Sequence, residues 1–376
     1  MASFFPALPL PAGIRSRQVG GVNGLDMHVL EAGEASRPSL LLLHGFPELA
    51  WSWRKVMLPL AEAGYHVIAP DQRGYGRTTG WDNRYDGDLA SYRLMNLVLD
   101  AVQLLKNLQI KTVEAVVGHD FGSPVAAWCA LTRPETFKSV ALMSAPFAGP
   151  PSTPVPAPDS VHDDMAALAR PRKHYQWYYS TRAADADMRD CPQGLHAFLR
   201  AYYHSKSADW KQNQPRELAS WSAVELAKMP TYYIMDLAQD MARTAAAYMP
   251  SATEIAACQW LTEEELRVYS SAFAHTGFQG ALQWYRCRTT GQFNAELATF
   301  FGRKIEVPAL FAGGKSDWGP YQRPGDLKKM QESACANMRG CQFVDGAGHW
   351  LQQEQPGEVV RLLLGFLRSE MGDRKR

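Results

Sequence analysis

Val113-Glu114-Ala115-Val116-Val117-Gly118-His119-Asp120-Phe121-Gly122-Ser123-Pro124-Val125-Ala126-Ala127-Trp128 is the stretch whose reading decides the fold. An apolar run reads as a buried strand, and Ser123 onward reads as the opening of a helix. Between them lies a turn with small residues two before and two after its centre. Strand and helix pass so closely there that larger side chains would clash, which is the pattern of a nucleophile elbow, usually written G-x-S-x-G. Here the centre is Asp120, a carboxylate already ionised at neutral pH because its ordinary pKa is about 3.9. It attacks without a base, and its natural targets are carbon centres bearing a strained or good leaving group. The competing reading is a hydrolase-like scaffold whose centre has lost its chemistry.

Outward from the elbow, strands alternate with helices. Val22-Asn23-Gly24 marks a hairpin between two early strands. Leu40-Leu41-Leu42-Leu43 reads as a central parallel strand, Trp51 to Ala63 as a helix and Tyr65 to Ala69 as a strand. Leu94, Leu97, Val98, Val102 and Leu105 make an apolar helical stripe within Asp88 to Leu108. Ser139 to Met143 is the next strand. The alternation stops at Gly149, where Pro150, Pro151, Pro154, Pro156 and Pro158 crowd together. From there to about Phe293 the chain reads as helical and aromatic, without strands, and includes a capping box at Thr262–Glu265 stapled by Leu261 and Leu266. Strands return at Ile305 to Ala312 and at Cys341 to Val344, before a last helix at Glu358 to Leu364. The expectation is a mostly parallel, doubly wound α/β sheet, with a core of residues 1–148 and 294–376 and a helical cap of 149–293 over the carboxyl ends of the strands.

Composition narrows the function. The 376 residues carry 39 basic and 38 acidic side chains, which gives no electrostatic reason to expect nucleic acid or an anionic membrane. The 46% hydrophobic content and abundant Trp and Tyr suit an apolar pocket. Six scattered cysteines form no C-x-x-C pair, the N-terminus lacks a basic leader, and no apolar run approaches the roughly 18 residues of a membrane span. A cytoplasmic protein with free thiols is expected, its tail from Gly372 a solvated end. Ten histidines make no H-E-x-x-H and no Cys/His cluster, so no metal is expected. Gly74-Tyr75-Gly76-Arg77-Thr78-Thr79-Gly80 has its third glycine one residue too late for a dinucleotide loop. No cofactor is expected.

Two further loops complete a constellation. Gly313-Gly314-Lys315-Ser316-Asp317-Trp318 follows a late strand and supplies an acid; Gly346-Ala347-Gly348-His349-Trp350 follows the last strand and supplies a histidine. The order nucleophile, acid, histidine is that of the α/β-hydrolases. Pro47 has no N–H, so Phe46 N–H is one candidate oxyanion donor and Phe121 N–H the other. His44 reads as structural.

His44-Gly45-Phe46-Pro47, Asp71-Gln72-Arg73-Gly74-Tyr75-Gly76-Arg77, the Gly-His-Asp elbow and Gly348-His349-Trp350 together resemble the epoxide hydrolases of the α/β-hydrolase fold. The resemblance extends through Leu261-Thr262-Glu263-Glu264-Glu265 and Gly280-Ala281-Leu282-Gln283-Trp284-Tyr285-Arg286 and spans roughly residues 15 to 370. It implies two lid tyrosines that bind and protonate the epoxide oxygen. Trp284-Tyr285-Arg286 supplies Tyr285. The Tyr-Gln pattern in His174-Tyr175-Gln176-Trp177-Tyr178-Tyr179 selects Tyr175, with Tyr178 and Tyr179 as alternatives. Trp177, Trp284 and Trp350 are candidates for lining the substrate pocket.

The resemblance implies a hydrophobic epoxide and water as substrates and a vicinal diol as product. Haloalkane and fluoroacetate dehalogenases share the layout but place Trp or Arg after the nucleophile, where this chain has Phe121. A third reading is a ligand-binding receptor that keeps the pocket without turnover.

Overall fold

The computed structural model describes residues 5–155 and 159–373. Met1–Phe4, Pro156, Pro158 and the tail from Arg374, on which the leader, linker and solvated-end expectations partly rest, lie outside them.

An eight-stranded sheet organises the chain. Its strands are β1 (Ile14–Val22), β2 (Leu25–Ala32), β3 (Ser39–Leu43), β4 (His66–Pro70), β5 (Ala115–His119), β6 (Val140–Met143), β9 (Ala309–Gly314) and β10 (Met338–Val344). The spatial order is β1-β2-β4-β3-β5-β6-β9-β10. β1 and β2 pair antiparallel across the Asn23-Gly24 turn, β2 meets β4 antiparallel, and every other pairing is parallel.

The leucine run shows why β3 is central. Leu41 and Leu43 face one core while Leu40 and Leu42 face the other, and all four are buried. Burial of such a side chain is worth about 1.5–3 kcal/mol, which an edge position with one open face would forfeit. Helices α1 (Arg54–Glu62) and α8 (Pro356–Asp373) cover one face; α2 (Leu94–Asn107) and α3 (Gly122–Thr132) cover the other. The expected helix over Asp88–Leu108 is interrupted at Arg93, whose extended backbone separates a short 3-10 turn at Leu89–Tyr92 from α2. The strand expected from Ile305 starts later, at Ala309, after Pro308, which has no N–H to give a ladder.

Between β6 and β9 the chain leaves the sheet and forms α4 (Tyr175–Tyr179), α5 (Leu195–Lys206), α6 (Glu263–Thr276), α7 (Gln279–Thr289) and several shorter helices. The expectation of no strands there is corrected. β7 (Arg172–His174) and β8 (Ile234–Asp236) pair antiparallel. At three residues each they are too short to register as alternation. The ribbon matters because Tyr175 N–H, just beyond it, donates to Tyr233 O at 2.9 Å. The Thr262–Glu265 capping box is present, and a second one, unread in the sequence, joins Ser251 and Glu254. Among the described residues no helix is long and apolar enough to cross a membrane.

The Asp71–Arg77 loop seats α7 on the sheet. Asp71 accepts N–H groups of Ala50 (2.8 Å) and Arg77 (2.9 Å) and pairs with His28 Nδ1 at 2.8 Å. The next turn presents Gly74, φ +89°, directly to Gly280 of α7. Trp284 of α7 donates its indole N–H to Arg73 O at 2.9 Å. A Cβ on Gly280 would lie 2.7 Å from Gly74 Cα and 2.8 Å from Trp81. Gly280→Ala should therefore lower the melting temperature, although helix propensity alone favours Ala by about 1 kcal/mol. A thermal melt showing stabilisation would mean the two backbones are not in contact.

Candidate active site

The elbow is built from close approaches. A Cβ at Gly118 would sit 2.1 Å from Gly122 O, and one at Gly122 would sit 2.3 Å from Leu43 O. Between them Asp120 adopts φ +50°, a left-handed conformation that costs a non-glycine residue free energy. Its N–H donates to Met143 O at 3.1 Å and its carbonyl accepts Ser123 N–H at 3.0 Å, so β6 and α3 hold the turn from both sides.

The Asp120 carboxylate is met on both oxygens. Phe46 N–H donates to Oδ1 at 2.9 Å, and the Phe46–Pro47 peptide is cis. His349 Nε2 lies 3.2 Å from Oδ2, an ion-pair contact rather than a well-aligned hydrogen bond. On the far side of the ring, His349 Nδ1 is 3.0 Å from Asp317 Oδ1, which also accepts Gly319 N–H at 2.7 Å. The structure thus brings Asp120, His349 and Asp317 into one line. Phe121 stands at the N-terminal end of α3, where backbone N–H groups lack intrahelical partners. His44 has a structural setting: Nδ1 contacts Gly45 O at 2.9 Å and Nε2 accepts Gln72 N–H at 3.1 Å.

Burial and charge shape the line. Burial alone would raise the Asp120 pKa, but the contact with His349, helped by the charges of Lys206 and His119, holds it well below the usual carboxylate range. Burial would lower that of His349, yet Asp317 first and Asp120 second lift it to about 9. At neutral pH the resting pair is therefore an imidazolium beside a carboxylate.

A cavity of about 690 Å³ opens over Asp120. Phe121, Tyr175, Tyr285, Trp177 and Trp284 border it. The Tyr175 and Tyr285 rings are 6.0 Å apart at 72°. Tyr175 hydroxyl donates to Gln322 Oε1 at 3.0 Å and accepts from Gln176 Nε2 at 3.0 Å, while Tyr285 hydroxyl makes no hydrogen bond among the described residues. Burial first, then the negative field of Asp120, raises the pKa of both phenols and keeps them protonated. The neighbouring tyrosines point elsewhere: Tyr178 donates to Asp187 at 2.9 Å and Tyr179 to Tyr202 at 3.1 Å.

Trp350 departs from the expectation that it borders the pocket. Its ring is fully buried behind His349, 4.7 Å away between centroids, with its indole N–H donating to Tyr203 O at 2.8 Å. The residue after the histidine turns inward because Glu354 gathers the N–H groups of Gly348 and Trp350, both at 3.0 Å, fixing the loop.

Three buried neighbours of the site escaped the sequence reading. Glu48 is fully buried beside the elbow; its Oε2 lies 2.5 Å from His119 Nδ1 and its Oε1 accepts from Gln352 at 2.8 Å. His119 Nε2 in turn faces His349 O at 2.7 Å, so the pair supports the backbone of the histidine loop. The glutamate's position directly after Pro47 was the available signal. The third neighbour, Lys206, is distant in sequence from every motif and gave none. Among the described residues no cluster of His, Cys, Asp and Glu could hold a metal ion.

The chain is also similar to known proteins along most of its length. A family model described as alpha/beta hydrolase fold matches residues 38–356. Epoxide hydrolase A of Mycobacterium tuberculosis is 32% identical over 356 residues, 94% of this chain and 98% of its own. An epoxide hydrolase of Caballeronia sordidicola is 30% identical over 96% of this chain and 95% of its own. Among solved structures, an epoxide hydrolase from an endophytic Streptomyces aligns with a TM-score of 0.75 at 29% identity, covering 96% of this chain and 97% of that one. Epoxide hydrolase I of potato, Solanum tuberosum, aligns at 0.72 and 30% identity, covering 95% and 99%. The family match over residues 38–356 and the identities of 30–32% over nearly the whole of both chains make this chain a member of the epoxide hydrolase family of the α/β-hydrolase fold.

Proposed function

We propose that this enzyme converts a hydrophobic epoxide to a vicinal diol through a covalent ester on Asp120. The observation that carries the reading is the convergence on one cavity of an ionised Asp120 and two protonated phenols, Tyr175 and Tyr285. An alkoxide leaves poorly unless a proton donor meets it. Residues 149–293 act as the cap that carries both donors, and 1–148 with 294–376 form the core that carries the nucleophile. The aromatic cavity wall supports a hydrophobic epoxide, and six free cysteines support a cytoplasmic setting.

In the first step Asp120 attacks an oxirane carbon, the C–O bond breaks, and the oxygen takes one proton from the tyrosine pair. Phe46 N–H already binds Oδ1, which marks that oxygen as the one that stays a carbonyl and leaves Oδ2 to attack. Esterification removes the negative charge beside His349, so its pKa falls below the resting value of about 9. The proton it sheds restores the phenol. Neutral His349, oriented by Asp317, then takes a proton from water as that water attacks the ester carbonyl. The oxyanion formed is held by the N–H groups of Phe46 and Phe121, each such donor being worth about 2.7–4 kcal/mol. Return of the proton from His349 to the leaving oxygen frees the diol and leaves Asp120 as the acid; its proton, the second one of the water, passes to His349 and restores the resting carboxylate and imidazolium.

A dehalogenase reading finds less support, because the side chain of Phe121 at the cavity wall is a ring with no donor for halide or carboxylate.

His349→Gln should retain ester formation and lose turnover by about 10²–10⁴-fold. Intact mass spectrometry after mixing with an aryl epoxide should then find the protein heavier by one substrate; an unmodified mass with turnover lost would overturn the scheme. The acid limb of ester breakdown should lie well below pH 9, since the base must be deprotonated in the ester and Asp120 no longer supports its charge. Pre-steady-state rates across pH test this, and a midpoint at or above 9 contradicts it. Tyr285→Phe should slow ester formation and leave ester breakdown nearly unchanged, measured by rapid quench; equal slowing of both steps would deny it the donor role.

A further inference from the structure

Lys206 is a buried charge that the mechanism above does not use. It is the last residue of α5, 3% exposed, and its carbonyl accepts the backbone N–H of His349 at 2.8 Å. Its ammonium lies 4.6 Å from the ring centroid of Tyr233, 4.8 Å from Tyr202, 5.5 Å from Tyr175 and 5.8 Å from Tyr232. No salt bridge reaches it among the described residues. An ammonium in such a place costs stability unless something repays its lost hydration. Cation–π contacts repay part. The charges of Asp120 and Asp317 supply more, although burial still pulls its pKa down to about 8.

The resting centre holds two carboxylates, Asp120 and Asp317, and two cations, His349 and Lys206. Ring opening neutralises Asp120 as it becomes an ester and leaves one negative charge on the tyrosine that gave its proton. That charge moves from a site beside His349 toward the Tyr175 ring. Lys206 borders Tyr175 and is not among the residues that line the cavity.

We propose that Lys206 is a positioning residue for ester formation: its ammonium, caged by Tyr175, Tyr202, Tyr232 and Tyr233, stabilises the phenolate on Tyr175 as the epoxide oxygen takes that proton. The inference rests on the epoxide hydrolase reading and on Tyr175 as a donor. Lys206 keeps its own proton throughout. The charged or titratable groups that face it are those four phenols, Asp120 of the elbow, Asp317 after β9 and His349 after β10.

Lys206→Met tests the inference by rapid quench with styrene oxide, following ester formation by intact mass. At pH 7 ester formation should slow by at least about tenfold, and ester breakdown should change by less than about threefold. The melting temperature should be equal or higher, because burial disfavours the charged ammonium more than its surroundings repay and no salt bridge is lost. In the unaltered enzyme, ester formation should fall as pH rises through about 8, where Lys206 loses its charge. That limb should vanish in Lys206→Met, and in Lys206→Arg, whose charge persists, it should move above about pH 10. Any titration of His349 near 9 should remain in both variants.

Ester formation at the unaltered rate in Lys206→Met, or equal slowing of both steps, would overturn the proposal. Should the Met variant fail to fold, the Arg variant decides: an alkaline limb still at 8 refutes the role. A failure of the epoxide hydrolase reading is separate, because no ester would then form in the unaltered protein.

Discussion

The molecule is organised around one turn that has no room for side chains. Gly118 and Gly122 let strand β5, helix α3 and the end of β3 pass within contact of one another, and the backbone at Asp120 is forced to φ +50°. That conformation is unfavourable for an aspartate and persists because β6 and α3 hold the residue on both sides. It lifts the carboxylate clear of the sheet, toward the cap. The parallel order of β3, β5, β6, β9 and β10 then brings the loops bearing Phe46, Asp317 and His349 to the same edge. Gly45 follows from the same crowding, since a Cβ there would strike Asp120 at 2.4 Å.

Electrostatics is the second organising constraint. Buried carboxylates and cations are costly singly and tolerable together. Asp120, Asp317, His349 and Lys206 balance one another beneath the cap, and a further pair, Glu48 and His119, supports the histidine loop from behind. Moving a negative charge from Asp120 toward the phenols rearranges this set without changing its total. In the proposed reaction residues 149–293 contribute more than walls, because they bring Tyr175, Tyr285 and one of the compensating cations, Lys206.

The parts of this arrangement that were legible in the sequence are those announced by backbone chemistry. Glycines bracket Asp120 and precede both Asp317 and His349, so each loop betrayed itself locally. The Leu40–Leu43 run and the Asn23-Gly24 turn located strands for the same reason. Lys206 had no such mark: a lysine at the end of an amphipathic helix looks solvated, and only the folded cap surrounds it with rings from residues 175, 202, 232 and 233. Glu48 is similar, an ordinary glutamate until tertiary packing buries it. Strands β7 and β8 are too short for any period, although Tyr175 depends on them. Trp350 misled because a tryptophan beside a catalytic-looking histidine reads as pocket wall, whereas the Glu354 contacts turn it into the core.

The central claim is that the carboxylate oxygen of Asp120 bonds to substrate carbon. A single turnover in ¹⁸O-labelled water tests this most directly, using unlabelled enzyme in excess over a styrene oxide probe. The account predicts that the first diol carries an unlabelled oxygen from Asp120 and that a peptide containing Asp120 becomes labelled. Label in the diol from the first turnover, with Asp120 left unlabelled, would mean that water attacks the ring directly and would contradict it.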